Sequence, residues 1–133
     1  MNRFYAAVAE RANYRCEYCH APEEAFNFPF EVEHIAPVSR GGSDDLDNLA
    51  LSCRACNSYK SFFEVGRDNE TQMQTSLFNP RREVWEEHFQ VNLETAEIVG
   101  VTVTGRATVR RLQMNLSRQR AARHRWMQFG LFP

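Results

Sequence analysis

Cys16, Cys19, Cys53 and Cys56 form two CxxC pairs with 33 residues between them; Glu33, His34 and Asn48 lie between the pairs, and Asn57 directly follows the second. Two thiolates separated by two residues can share a tetrahedral ion at about 2.3 Å each, and four of them saturate it. The cysteines therefore describe a closed, structural zinc site, one Zn²⁺ per chain, with no open position for a substrate. Chemistry falls to the other set. An unperturbed imidazole titrates near pH 6.5, so a histidine can take a proton from water at neutral pH. Glu33 and the side-chain carbonyl of Asn57 are hard oxygen ligands suited to Mg²⁺ or Mn²⁺, with coordination positions left for a phosphate and a water. An activated water, charge relief at phosphorus and help for a leaving oxygen are what phosphodiester hydrolysis requires.

Those residues need short elements to hold them. Residues 3–13, with Phe4-Tyr5-Ala6-Ala7-Val8-Ala9 at the centre, read as a short helix with one apolar face leading into Cys16. Residues 20–29 hold two prolines and read as loop. Phe30 to Ile35 reads as a strand ended by Pro37, Ser39 to Asn48 as a turn-rich loop around Gly41-Gly42-Ser43-Asp44-Asp45, Leu49 to Leu51 as a second strand, and Arg54 to Phe63 as a helix. On a strand, Glu33 and His34 point to opposite faces unless the strand ends or bulges there, and Pro37 makes an end plausible.

Farther on, 66–75 is polar and reads as loop, while 83–91 and 97–103 are β-rich and can pair as a hairpin turning near 92–96. Thr104 is a candidate N-cap for a helix to about Asn115, and Ser117 for a second one stopping near Gly130, with Ala122, Trp126 and Phe129 on one face. His88, in Trp85-x-x-His88-Phe89, reads as a strand residue.

Length and composition set the frame. A chain of 133 residues, 43% hydrophobic and 25% charged, is expected to form one soluble domain over 1–133. No apolar run approaches the roughly 20 residues of a membrane helix, and the N-terminus has no signal-peptide pattern, so no membrane partner and a cytoplasmic location are expected. In that compartment cysteines favour metal over disulfide. The net charge of -1 conceals an asymmetry: all 17 acidic residues lie before Ile98, while the remainder carries seven arginines and no acid. The basic end fits a polyanionic partner, through Arg110, Arg111, Arg118, Arg120, Arg123 and Arg125, or equally a solvated face paired with the acidic half.

The series Glu33-His34-Ile35-x-Pro37, Gly41-Gly42, Asp47-Asn48-Leu49 and Cys53-x-x-Cys56-Asn57-x-x-Lys60 resembles the HNH endonuclease family. Asn48 and Asn57 stand 14 and 23 residues after His34, the spacing found in the HNH domain of RNA-guided DNA nucleases. A downstream pattern, Leu77-Phe78-Asn79-Pro80-Arg81, Trp85-x-x-His88-Phe89 and Gly105-Arg106-Ala107-Thr108, also looks like small stand-alone bacterial members. The resemblance implies an α+β fold: a ββα-metal core at about 16–63, pinned by a four-cysteine zinc site, preceded by a short helix and followed by a β-hairpin and two basic C-terminal helices over about 78–133. It implies a catalytic set of His34 as general base, Glu33 and Asn57 as ligands of a divalent ion, and Asn48 as the residue that ties down the loop and orients the His34 segment. Lys60, the only lysine, is a candidate phosphate contact. Many members carry Asp or His at the position of Glu33, and His at that of Asn57.

Three readings follow. The first is a metal-dependent endonuclease that cuts DNA, expected to be double-stranded, leaving 3′-hydroxyl and 5′-phosphate ends. The second is a zinc-stabilised nucleic-acid-binding module without activity, which accounts for the cysteines and the basic end but not for the spacing of Glu33, His34, Asn48, Asn57 and Lys60. The third is RNA cleavage by the same site. One site cuts one strand, so oligomeric state stays open.

Overall fold

The computed structural model describes residues 1–133. Helix α1 (Tyr5–Arg11) buries Val8 and Ala9 and runs into the turn that carries Cys16 and Cys19. Strand β1 (Glu31–His34) pairs antiparallel with β2 (Leu49–Ser52), Glu31 opposite Ser52 and His34 opposite Leu49. Every residue of β2 is buried, whereas on β1 only Glu33 is. Helix α2 (Arg54–Lys60) follows after one residue, Cys53, whose sulfur caps it by accepting from the Cys56 backbone N–H. Arg11 ties α1 to the loop before β2, donating to the carbonyls of Leu46 and Leu49 at 2.9 and 2.5 Å.

The second half is built from two more hairpins and three helices. Strand β3 (Val65–Arg67) pairs with β4 (Gln74–Ser76); α3 (Trp85–His88) leads into β5 (Phe89–Val91), which pairs with β6 (Ile98–Gly100). Helix α4 (Val103–Arg111) packs on β3, β4 and β6, and α5 (Ser117–Gln128) closes the chain. The approach of α4 is set by Gly105, where a Cβ would overlap the His88 carbonyl. One core of 19 buried residues runs from Val8 to Met114 and includes all four cysteines. No helix is long and apolar enough to cross a membrane.

The expected α+β architecture with a strand–strand–helix unit stands, and the C-terminal half departs from expectation in detail. The stretch 66–75, expected as loop, is a hairpin. Its turn is organised by the buried Asp68, which accepts from the backbone N–H groups of Glu70 and Thr71 and from the Thr71 hydroxyl, and binds Arg106 through both oxygens at 2.8 and 3.0 Å. That guanidinium holds the Asp68 carboxyl far below the usual carboxylate range.

Of the expected strand over 83–91 only Phe89–Val91 forms one; α3 takes the place of its earlier part, with Trp85 donating its indole N–H to the Tyr18 carbonyl at 2.8 Å. His88 accordingly sits on α3, not on a strand. Thr102 rather than Thr104 caps α4, accepting from Gly105 N–H at 3.0 Å. Ser117 is the first residue of α5 rather than its cap, and Phe129 is exposed beyond its end.

Candidate active site and metal centre

The four cysteines converge although two come from the turn after α1 and two from the start of α2. Their sulfurs all lie within 4.8 Å of one another, with Cys19 and Cys53 Sγ atoms 3.7 Å apart. A tetrahedral ion with bonds of about 2.3 Å sets its sulfurs about 3.8 Å apart, so the cage fits zinc. Burial pushes the Cys16 thiol up, but hydrogen bonds from Cys19, Cys53 and Cys56 outweigh it and bring Cys16 well below the ordinary thiol range. The same hydrogen bonds drive Cys19 and Cys56 well above that range, so it is Cys16 that favours the thiolate, the form that binds metal.

Above this cage, β1 ends at His34. Its side chain is 27% exposed, and Nε2 lies 2.8 Å from Asp44 Oδ1 in the loop before β2; the other Asp44 oxygen faces Arg3 at 3.9 Å. A carboxylate on Nε2 selects the tautomer protonated there and leaves the Nδ1 lone pair as the proton acceptor.

Asn48 clamps the same loop. Its Oδ1 accepts from Ala36 N–H at 2.8 Å, its amide donates to the carbonyls of Ala36 and Ser43 at 3.0 and 2.8 Å, and its backbone carbonyl accepts from Ile35 N–H. Gly42 lies so close to the Ala36 carbonyl that a Cβ would overlap backbone atoms. Gly42→Ala is therefore expected to destabilise the fold by about 1–3 kcal/mol and to displace Asp44, read as a lowered melting temperature.

Glu33 points the other way, as strand alternation requires. It is 4% exposed. Lys60 Nζ lies 2.5 Å from Oε1, and the Tyr18 hydroxyl donates to Oε2 at 2.7 Å. Burial raises the Glu33 pKa, with Lys60 and Tyr18 opposing it, and Tyr18 is driven well above the phenol range by burial and by the carboxylate. Asn57 does not meet Glu33: its amide donates to Glu31, two residues earlier on the same face of β1, at 2.5 Å. The expected divalent-ion ligands are thus separated, and as arranged Glu33 and Asn57 do not fit a shared ion.

The expected nucleic-acid contacts divide. Lys60 is buried against Glu33. Arg123 is also buried, donating to the carbonyls of Ala96 and Met114 and to Asn115 Oδ1, so it anchors α5 and does not face a ligand. Arg120 donates to the Thr95 carbonyl, and the Arg111 guanidinium lies 3.9 Å above the Phe63 ring. Arg110, Arg118 and Arg125 are exposed. A groove of about 840 Å³ beside the Asn48 loop is lined by Asp45, Asp47, Glu64 and Glu83 against Lys60 and Arg82, a charge balance that does not favour phosphate.

Three residues of the site went unread in the sequence: Asp44, Tyr18 and Glu31. Glu31 was accessible, since it shares the period-two face with Glu33. Asp44 stood next to Asp45 in a turn-rich loop, with nothing local to single it out. Tyr18 stands between two cysteines, where no spacing rule singles it out.

Two antiparallel strands and a helix, with four sulfurs gathered at the helix start and a histidine at the strand end, define a ββα unit with a cage able to hold a metal ion. Residues 16–63 match the family model described as HNH endonuclease, and the four cysteines within that segment form a site able to hold a metal ion. That match points to a nuclease or nucleic-acid-binding role. No curated protein and no solved structure matches the chain.

Proposed function

We propose that this chain is an endonuclease that hydrolyses DNA phosphodiester bonds with His34 as general base. The observation that carries the reading is the His34–Asp44 pair at 2.8 Å through Nε2 on a partly exposed side chain, which leaves Nδ1 as the nitrogen that can take a proton. Nδ1 accepts the proton of a water; the water oxygen bonds to phosphorus as the bond from phosphorus to the 3′ oxygen breaks, and that oxygen takes a proton from a solvent water, giving 5′-phosphate and 3′-hydroxyl ends. Asn48 keeps the His34 segment and the Asp44 loop in register. The exposed Arg110, Arg118 and Arg125 contribute phosphate attraction without sequence information. The chain acts as one unit of 133 residues, in a reducing compartment where its thiols persist as zinc ligands. A Mg²⁺ or Mn²⁺ ion would supply charge neutralisation at the phosphate, but no ligand set for it is assembled at Glu33 and Asn57.

That last point favours a second reading, a zinc-stabilised module that binds nucleic acid without cutting it. Supercoiled plasmid and a matched single-stranded RNA, each incubated with zinc-loaded wild type and His34→Ala, with and without added Mg²⁺ or Mn²⁺, separate the readings. Plasmid nicking by wild type, lost in His34→Ala at equal zinc content, is the expected outcome. Binding without nicking by wild type overturns the catalytic reading, equal nicking by both proteins removes His34 as the base, and preferential RNA cleavage reassigns the substrate.

A further inference from the structure

Lys60 is the only lysine in a chain that otherwise uses arginine for every fixed cation, and it is 1% exposed. Its ammonium donates to the Ile35 carbonyl at 2.9 Å and the His34 carbonyl at 3.4 Å, and lies 2.5 Å from Glu33 Oε1 as an ion pair outside hydrogen-bond geometry. Glu33 Oε1 has no partner other than that ammonium. One carboxylate and two backbone carbonyls converging on a point are the donor set of a hard cation. A planar guanidinium could not occupy it, whereas an ammonium is a compact point charge.

We propose that the Lys60 ammonium is the resident cation of the site between β1 and α2. It stands in place of a divalent ion, joins the end of β1 to α2 and so holds the backbone at His34; Mg²⁺ or Mn²⁺ binds Glu33 only when the ammonium is removed. A divalent ion beside Lys60 would add two positive charges to one already neutralising Glu33, which mutual repulsion opposes. The Tyr18 hydroxyl completes the arrangement by donating to the second Glu33 oxygen, so each carboxylate oxygen has one neighbour of its own. The inference concerns cation occupancy and does not depend on whether the chain cuts DNA.

Mn²⁺ binding to the zinc-loaded protein, followed by electron paramagnetic resonance, tests it without reference to activity. Wild type and Glu33→Gln are expected to bind Mn²⁺ alike, with no site attributable to Glu33. Lys60→Ala is expected to gain a saturable site at least about tenfold tighter than any in wild type, lost again in the Lys60→Ala/Glu33→Gln double variant. Should Lys60→Ala fold only with Mn²⁺ present, its dependence on the ion reports the same gain. A wild-type Mn²⁺ site that Glu33→Gln abolishes overturns the proposal, as does a folded Lys60→Ala that gains none. Absence of plasmid nicking bears on the nuclease reading alone.

Discussion

Cys53→Ser is expected to lose zinc and with it the fold. Cys53 has two jobs, as a member of the sulfur cage and as N-cap of α2. Serine is among the best N-caps, so the substitution preserves the cap and isolates the ligand. Structural zinc contributes an apparent 10–16 kcal/mol, roughly, in small zinc-finger peptides, and the net stability of a typical domain is only about 5–15 kcal/mol. Loss of the ion therefore outweighs what remains. All four cysteines belong to the main core, so releasing the metal leaves thiols facing one another at its centre and frees the turn after α1 from α2. Far-UV circular dichroism melting and zinc content by mass spectrometry check it. A zinc-free Cys53→Ser protein that melts like wild type would reduce the cysteines to packing residues. Acidification acts in the same direction, since protons compete for the thiolates.

What could be read from the sequence followed how local each constraint is. The cysteine spacing was legible because tetrahedral coordination restricts ligand type and number whatever the intervening fold. The strand–loop–strand–helix order was legible because Pro37, Gly41, Gly42 and the apolar Leu49–Leu51 run punctuate it locally. Inward and outward faces on β1 followed from alternation alone. What the inward-facing Glu33 would meet did not, because Lys60 and Tyr18 lie on other elements. The same distance hid the β3–β4 hairpin, whose turn rests on an Asp68–Arg106 pair spanning 38 residues. The basic C-terminal end proved to be partly internal: Arg106 binds Asp68 and Glu70, Arg120 caps a carbonyl, and Arg123 is enclosed among carbonyls. A charge tally does not separate arginines that hold the fold from those left to meet a polyanion.

His34→Ala is expected to lower plasmid nicking by about 10²–10⁴-fold, the usual contribution of a general base, with melting temperature nearly unchanged because the side chain is partly exposed and its one polar partner, Asp44, lies in an exposed loop. Asp44→Asn provides the finer discrimination. Its carboxylate touches Nε2 and not the face from which Nδ1 would work, so Asp44 is a positioning residue. Its removal is expected to cost about tenfold to a hundredfold in kcat, the range found when the outer partner of a ligating histidine is lost. The sign on binding is opposite. Asp44 places a negative charge beside incoming phosphates, and neutralising it should leave DNA affinity equal or tighter, most visibly at low salt. A slower enzyme that binds DNA as well or better is therefore the signature of positioning, and Asp44→Glu should recover part of the rate. Weaker binding with an unchanged kcat would instead make Asp44 a structural loop residue and remove the basis for assigning the proton to Nδ1.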